Sequence, residues 1–205
     1  MRDLQQLHHT RQLWYEAAAT FDNEPDHGLR DPLVRDTWLD QLRRWLPPPP
    51  AAILDIGCGT GSLSLLMAEL GYQVTAIDFS PAMIAQAEAK AQAAGQTISF
   101  QIMDAAEPQF EEQQFNLILC RHLLWLFSDP ATVLQRWVEL LRSTGRLLLI
   151  EGFWHTGAGM NAQTVVAALP SSCTHVSVQS LSEHSDLWGG SVTDERYVVI
   201  ADLIE

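Results

Sequence analysis

The chain has 205 residues, of which 47% are hydrophobic and 18% charged, and its formal net charge is −13. This length and composition suit one globular domain and exclude a disordered chain. The acidic balance argues against nucleic-acid binding, which depends on clustered lysines and arginines. Since no apolar run approaches the ~20 residues that span a bilayer and the polar start is unlike a signal peptide, we expect a cytoplasmic protein without membrane contact.

The first 50 residues are predicted to form a helical cap within the same domain as residues 51–205. A helical pattern covers residues 4–19, and a second one covers residues 31–46, where four prolines end it. The break between them is charged and contains a glycine. Such a break between two amphipathic helices suits a lid that closes over a ligand, although a surface turn is the stronger single alternative.

Three glycines at alternate positions join an apolar strand to a helix within segment 53–63. Residues 53–56 are predicted to be a buried parallel strand. Gly57, Gly59 and Gly61 allow a sharp turn and a close approach of a ligand to the backbone. The helix that follows directs free N–H groups to the same point, so we expect an anion or a polar ligand there. A tight structural turn is the alternative.

Strand and helix patterns alternate after this loop, which predicts an α/β fold with a doubly wound, Rossmann-like sheet of seven strands. The predicted strands are residues 53–56, 73–78, 97–103, 115–120, 146–150, 174–180 and 197–201. The helices predicted between the parallel strands are residues 62–70, 82–94 and 130–141. The segment that begins at Glu151 is predicted to leave the sheet as a flexible loop.

Two aspartates follow neighbouring predicted strands. Asp78 comes 21 residues after Gly57, and Asp104 comes directly after the third strand. An acidic side chain at the position of Asp78 can accept hydrogen bonds from both ribose hydroxyls of an adenosine cofactor. The carboxyl ends of parallel strands meet at one edge of the sheet, so these residues are expected to face one ligand. Solvated strand-end carboxylates remain the simpler alternative.

The glycine segment differs from a dinucleotide fingerprint, because Ser62 stands where that pattern needs its last glycine. Its acidic-x-Gly-x-Gly-x-Gly pattern, with the motifs at residues 76–84 and 103–106, resembles class I methyltransferases that use S-adenosylmethionine (SAM). The resemblance covers about residues 51–151. It implies a mostly parallel sheet with an antiparallel last strand, SAM as cofactor and S-adenosylhomocysteine as product. The cofactor-binding residues that it implies are Asp55, Gly57, Cys58, Gly59, Gly61, Asp78, Phe79, Met83, Asp104, Ala105 and Arg121.

The fourth strand ends in Cys120-Arg121-His122, where the resemblance places the sulfonium and the acceptor. Arg121 could orient a carboxylate of the cofactor or of the acceptor, and His122 could act as a general base. His27 is a further candidate base. A structural Arg–Asp pair and a packed neutral histidine are equally open interpretations. The strand end lacks the Asn-Pro-Pro-Tyr type of sequence, which disfavours methylation of nucleic-acid amino groups.

Short segments near both ends resemble bacterial small-molecule methyltransferases, including phosphonate O-methyltransferases. The resemblance implies a small-molecule acceptor with an oxygen nucleophile. The candidate acceptor or lid residues are Tyr15, Arg30, Trp125, Trp154, His155 and Arg196. The three cysteines lack metal-ligand spacing, so no metal is predicted, and the oligomeric state cannot be read from the sequence. A non-catalytic SAM-binding sensor or partner protein and an NAD-dependent dehydrogenase are the alternative functions.

Overall fold

The computed structural model describes residues 4–203, with side chains from Thr10 onward, as a seven-stranded sheet flanked by helices. The helices are α1 (Leu4–Phe21), α2 (Pro25–Gly28), α3 (Pro32–Trp45), α4 (Ser62–Glu69), α5 (Pro81–Ala93), α6 (Pro130–Glu139), α7 (Ala162–Ala167) and α8 (Ser185–Trp188). The strands are β1 (Ala52–Ile56), β2 (Gln73–Asp78), β3 (Ser99–Ile102), β4 (Phe115–Arg121), β5 (Leu141–Phe153), β6 (Cys173–Ser180) and β7 (Glu195–Leu203). Among residues 4–203, no helix combines the length and apolar character needed to cross a membrane.

The strand order in the sheet is β3-β2-β1-β4-β5-β7-β6. Strands β1 to β5 pair in parallel, whereas β7 runs antiparallel to both of its neighbours, β5 and β6. The predicted α/β fold with a Rossmann-like sheet and an antiparallel last strand is therefore confirmed. Because β1 to β4 are parallel neighbours, the residues that follow them meet at one edge of the sheet.

Both faces of the sheet are covered, which explains why the central strands are apolar at nearly every position. Ile53 and Leu117 face one core, together with Trp38 of α3. Leu54 and Ile118 face the opposite core, which α6 and α7 cover. Helix α3 therefore packs as part of the sheet domain, whereas α1 contacts α5. Burial of each such side chain stabilises the fold by about 1.5–3 kcal/mol relative to exposure.

Capping residues set the helix starts that the sequence indicates. The Asp31 carboxylate accepts a hydrogen bond from the Leu33 amide at 2.8 Å, and Pro32 occupies the first turn. Ser80 caps α5 in the same way, again followed by a proline. The side-chain acceptor satisfies a free amide at the start of the helix, and the proline that follows fixes the backbone for the first turn.

Strand β5 is longer than the sequence predicts. It begins at Leu141, whereas the prediction placed a helix up to that residue and a strand only from Arg146. The register with β4 passes from the pair Phe115–Leu141 to the pair Leu117–Arg146, so a bulge accommodates the residues between. The prediction of a flexible loop from Glu151 is also wrong for residues 151–153, because they continue the antiparallel ladder with β7.

Candidate active site

A cavity of about 870 Å³ lies at the carboxyl edge of the sheet, a size suited to a small-molecule ligand. One wall follows β1, β2, β3 and β4, and the opposite wall comes from α1 and α2. The lining residues used below are Trp14, Phe21, Glu24, Asp26, His27, Asp55, Gly57, Cys58, Gly59, Asp78, Phe79, Met83, Asp104, Ala105, Arg121, His122, Leu123, Trp125, Trp154 and Arg196.

The glycine loop after β1 has a backbone that other residues adopt with difficulty. Gly57 has φ +71°, and a Cβ atom there would lie 2.7 Å from Cδ2 of Leu123. The amides of Gly57 and Cys58 donate to the Ile77 carbonyl at 2.8 and 3.0 Å, which fixes the loop against β2. The loop thus presents main-chain groups to the cavity without a side chain between them.

Asp78 at the end of β2 ties the glycine loop to the start of α5. Its Oδ2 accepts from the Gly59 amide at 3.0 Å, and its Oδ1 accepts from the Ser80 amide at 2.9 Å. Burial raises the pKa of Asp78, and these backbone hydrogen bonds oppose the rise. Each carboxylate oxygen has a further lone pair, so Asp78 can still accept hydrogen bonds from a ligand in the cavity.

Asp55 lies under the glycine loop and is almost completely buried. Its carboxylate accepts a hydrogen bond from the Ser64 hydroxyl. Burial raises the pKa of Asp55 to about 6, while the hydrogen bond from Ser64 and the charge of Arg121 oppose the rise. Asp55 therefore links the end of β1 to the first turn of α4 and places a negative charge near Arg121 of β4.

The segment after β3 is held by side chains of α6. The Trp137 indole donates to the Ala105 carbonyl at 2.7 Å, and the Arg136 guanidinium donates to the Ala106 carbonyl at 2.8 Å. The Asp104 carboxylate accepts from the Ala106 amide at 2.9 Å. Asp104 and Ala105 therefore line the cavity on a restrained turn, together with Phe79, which follows β2, and Met83 of α5.

Arg121 joins the end of β4 to α2. Its Nη1 donates to the Asp26 carbonyl at 2.6 Å, and its guanidinium lies 5.3 Å from the Trp38 ring centroid. Burial lowers the pKa of Arg121, and the negative charges of Asp26 and Asp55 oppose the shift. The sequence predicted a carboxylate partner, but the hydrogen bond to α2 is made through a main-chain carbonyl.

His122 has an uncommon backbone conformation for a residue other than glycine, with φ +56°. Its ring contacts Trp154 edge-on at 5.2 Å and stacks near Trp188 at 6.1 Å, measured between centroids. Its Nε2 atom is buried without a hydrogen-bond partner among the described residues. Burial lowers the pKa of His122 well below its ordinary value, and the charges of Arg121 and Arg196 lower it further, so the ring is neutral near pH 7.

His27 approaches the cavity from α2. Its ring stacks on Phe21 at 4.2 Å between centroids and 11° between planes. Its Nδ1 atom is buried and also lacks a hydrogen-bond partner within the described part of the chain. Burial and the charge of Arg121 lower the pKa of His27, although Asp26 and Glu24 oppose the shift. Two neutral imidazoles therefore face the same cavity.

Tryptophans and a restrained arginine form the wall beside His122. Trp125 contacts Trp154 at 5.8 Å between centroids, and its indole donates to the His122 carbonyl at 3.1 Å. The Arg196 guanidinium lies 4.7 Å from the Trp188 centroid and makes two contacts with the Asp194 carboxylate, at 2.8 and 3.3 Å. This end of the cavity is aromatic, and its arginine is paired with a carboxylate.

Residues 53–145 match a family model described as a methyltransferase domain. The match contains the glycine loop and the ends of β2, β3 and β4, which together form one wall of the cavity. This region is a class I methyltransferase domain. The recognition made from the sequence motifs is confirmed.

Two curated relatives are ubiquinone biosynthesis O-methyltransferases. The protein of Xanthomonas axonopodis pv. citri (strain 306) is 32% identical over 137 residues, which cover 66% of this chain and 54% of the relative. The protein of Xylella fastidiosa (strain 9a5c) is 35% identical over 127 residues, or 60% and 51% of the two chains. The chain spans about half the length of the curated relatives it matches, so their activity comes to it only as a proposal.

Solved structures show the same methyltransferase fold with different activities. The N-methyltransferase NodS from Bradyrhizobium japonicum WM9, in complex with S-adenosylhomocysteine, has 22% identity and a TM-score of 0.72, covering 94% of this chain and 99% of NodS. The [4+2]-cyclase SpnF has 19% identity and a TM-score of 0.71, and the match covers 82% of this chain and 80% of SpnF. At these identities the likeness concerns the fold, and the reacting atom must be argued from the cavity.

The methyltransferase domain brings most of the predicted site residues to one cavity, but four lie elsewhere. Gly61 packs behind the loop, where a Cβ atom would lie 2.8 Å from Cβ of Ala87. Tyr15 and Arg30 are exposed, and His155 contacts the Thr193 hydroxyl at 2.6 Å on the surface. None of the four lines the cavity.

Trp14, Phe21 and Asp26 line the cavity, although the sequence prediction did not select them. Trp14 and Phe21 are seven residues apart on α1, which places them on one helix face. Tyr15 is one residue from Trp14, so it points about 100° away around the helix. Helical spacing was thus the available signal for choosing Trp14 over Tyr15.

Proposed function

We propose that this protein transfers the methyl group of SAM to an oxygen atom of a small-molecule acceptor. The observation that supports this proposal is the continuity of one cavity from the glycine loop, Asp78 and Asp104 to the aromatic wall beside Arg121 and His122. A cofactor held by the first set of groups would reach the second set. The curated O-methyltransferase relatives support the choice of oxygen.

The residues of the first set fit SAM. We assign Asp78 to the ribose hydroxyls, because its carboxylate lies at the cavity and retains free lone pairs. Asp104 and Ala105 would meet the adenine, with Phe79 and Met83 against its faces. Gly57 and Gly59 leave open the space that the methionine part would need, since side chains there would contact Leu123 and Phe21.

The sulfonium of bound SAM supplies an electrophilic methyl group. The protein's task is then to orient the acceptor, and correct alignment can supply up to about 7–11 kcal/mol of the barrier. Trp14, Trp125 and Trp154 can hold a planar acceptor and attract a cation by their ring faces. Arg121 would orient an anionic acceptor, and a neutral His122 or His27 can take the proton of a hydroxyl.

Helices α1 and α2 form the outer wall of the cavity, and we propose that they act as a lid within one domain with the sheet. Lys90 of α5 makes an ion pair with Asp22 at 2.8 Å and also donates to Ser62 at 2.8 Å. Gln86 donates to the Ala18 carbonyl at 2.6 Å. Closure of such a lid would exclude water from the transfer step.

Calorimetric titration with SAM, S-adenosylhomocysteine and NAD tests the cofactor assignment. We expect the two adenosyl ligands to bind and NAD to give no response, and binding of NAD alone would favour the dehydrogenase alternative. Incubation with methyl-labelled SAM and a panel of phenols, small acids and amines then tests transfer. SAM binding with no label transferred to any class of acceptor would favour the sensor alternative.

The acceptor is proposed to be a small molecule and not a nucleic acid, because the chain carries a formal net charge of −13. A cytoplasmic location remains a prediction from the sequence. The same holds for the absence of membrane contact.

A further inference from the structure

We infer that Asp26, His27 and His122 form a binding site for a divalent transition-metal ion at the acceptor end of the cavity. One carboxylate oxygen of Asp26 and one ring nitrogen of each histidine lie within 4.8 Å of one another. All three residues line the cavity. The inference rests on the proposed methyl transfer for the role of the ion, but not for the binding itself.

Both histidines of the cluster have a ring nitrogen without a hydrogen-bond partner among the described residues. His27 Nδ1 and His122 Nε2 are buried, and within residues 10–203 neither has a hydrogen-bond partner. The Asp26 side chain is only 14% exposed, and its Oδ2 lies 3.8 Å from His27 Nε2, which is longer than a hydrogen bond. Buried polar groups in native proteins are normally paired, so a ligand is expected where several unpaired groups meet.

The separation of the groups suits a single ion. Bonds from Zn²⁺ to imidazole nitrogen or carboxylate oxygen are about 2.0–2.2 Å, so two ligands at a tetrahedral angle lie about 3.3–3.6 Å apart. Ligand atoms in the observed cluster lie within 4.8 Å of one another, so closing it on one ion brings them together by up to about 1.5 Å. Asp26 and His27 are both on the short helix α2. Rotation of these two side chains can bring the ligand atoms together without moving β4.

The ligand types indicate the class of ion. Two imidazoles and one carboxylate favour zinc or another first-row transition dication over magnesium or calcium, which prefer oxygen ligands. Three protein ligands leave coordination positions open for other molecules.

Two guanidiniums near the cluster oppose a cation, and their charges are largely balanced. Arg196 is held by Asp194 through two contacts. Arg121 interacts with the negative charge of Asp55, a carboxylate outside the cluster. Glu24 also lines the cavity and acts on His27. These carboxylates keep the local charge compatible with a dication.

The site narrows the class of acceptor. Trp125 and Trp154 line the same cavity as the three ligands, so an acceptor packed against these rings could occupy an open coordination position of the ion. A planar acceptor with two adjacent oxygen atoms could chelate it, and a bound dication lowers the pKa of a coordinated hydroxyl. Acceptors with one isolated hydroxyl would lose this advantage.

Metal binding to the tag-free, chelator-treated full chain tests the inference. We expect Zn²⁺ to bind with 1:1 stoichiometry by calorimetry, and Co²⁺ to give visible absorption bands typical of nitrogen and oxygen ligands. Asp26→Asn and His122→Asn should each weaken binding by more than about 10-fold, a loss that even outer-shell changes can cause. Asparagine tolerates the positive φ of His122, so that variant keeps the backbone. His175→Gln, in the exposed edge strand β6, is the matched control and should bind like the unchanged protein.

SAM affinity is measured on the same samples, so the two proposals can fail separately. Metal binding that is lost in the two cluster variants but kept in the control supports the site. Absence of 1:1 binding in the unchanged protein, or equal binding in all variants, overturns it. In the first of these cases, intact SAM binding would leave the imidazoles as direct partners of the acceptor hydroxyl.

Discussion

Asp78 illustrates how one side chain can serve both the fold and a ligand. Its two carboxylate oxygens accept from the amides of Gly59 and Ser80, so it fixes the cofactor loop before any ligand arrives. Because Asp78 lines the cavity, its remaining lone pairs can accept hydrogen bonds from a ligand there. Loss of the carboxylate would therefore remove ligand contacts and loosen the loop together.

Replacement of Asp78 by Ala should weaken SAM binding by about 1–3 kcal/mol, because ribose hydrogen bonds are lost. Isothermal calorimetry measures the change. Asp78→Asn separates the effects, since its amide oxygen can still accept from Gly59 while the charge is absent. Asp40→Ala on the exposed face of α3 serves as control, and unchanged affinity in Asp78→Ala would remove this residue from the proposed site.

Glu151 is a buried carboxyl group that supports the segment after β4. Its Oε1 accepts from the amides of Leu123 and Leu124 at 2.9 and 2.8 Å, while Oε2 lacks a hydrogen-bond partner in the described part of the structure. Burial raises the pKa of Glu151 from 4.5 to about 7. In the folded state the group therefore binds a proton more readily than in the unfolded state.

Between about pH 4.5 and pH 7, this difference makes the free energy of unfolding fall as the pH rises. Glu151→Gln removes the titration while keeping an oxygen for the two amides. We expect the variant to gain stability relative to the unchanged protein between pH 5 and pH 8, by up to the order of 3 kcal/mol. Urea unfolding at both pH values measures it, and a parallel pH dependence of both proteins would contradict the assignment. The pKa of Asp55 is also raised, to about 6, and this lowers the free energy of unfolding with rising pH in the variant and in the unchanged protein alike.

Site residues could be predicted from the sequence where they follow a strand within a motif. Asp55, Asp78 and Asp104 all line the cavity. The ends of neighbouring parallel strands meet at one edge of the sheet, so these positions do not depend on how the side chains pack elsewhere. The relation between His27 and His122 could not be predicted, since 95 residues separate them and no spacing rule connects α2 with β4. Only the packing of α2 against the sheet edge brings their rings together.

The contact between α1 and α5 depends on a small polar cluster. Lys90 of α5 contacts Asp22, Thr60 and Ser62, and so joins the end of α1 to the glycine loop. Burial lowers the pKa of Lys90, and its hydrogen bond with Asp22 opposes the shift. Removing one charged partner leaves the other partly buried and unpaired.

Asp22→Asn and Lys90→Met should each weaken the attachment of α1 and speed the release of SAM. In the double variant, the effect on each quantity should be smaller than the sum of the effects of the two single variants. Hydrogen exchange over residues 10–21 and stopped-flow release of the cofactor are the measurements. Asp40→Asn removes an exposed ion pair with Arg43 and provides the control. Additive effects in the double variant would show that the pair is not coupled.

Elements with a strong periodic pattern could be predicted from the sequence. Elements whose length depends on pairing with a distant strand could not. The alternation of strands and helices from β1 to β3 follows from their own residues. The extension of β5 to Phe153 depends on its ladder with β7, a contact between residues far apart in the chain. Local propensity is overridden there by tertiary pairing.

The whole molecule should respond to ligands that bind only the folded state. At 100 times its dissociation constant, S-adenosylhomocysteine should add about 2.7 kcal/mol to the free energy of unfolding. For a chain of this size that corresponds to a rise in Tm of roughly 5–10 °C. Differential scanning calorimetry measures it, with NAD as the matched comparison. An equal rise with NAD, or none with the adenosyl ligand, would contradict the cofactor assignment.

The position of β7 between β5 and β6 has a consequence for how the chain is made. Strand β6 leaves the ribosome before β7, yet β7 is its neighbour in the sheet. Translation of the 23 residues from Ser180 to Leu203 takes roughly 1–5 s at 5–20 residues per second. During that interval β6, which carries the exposed Val176 and Val178, has no neighbouring strand. The nascent chain is therefore most exposed to incorrect strand pairing just before β7 is added to the sheet.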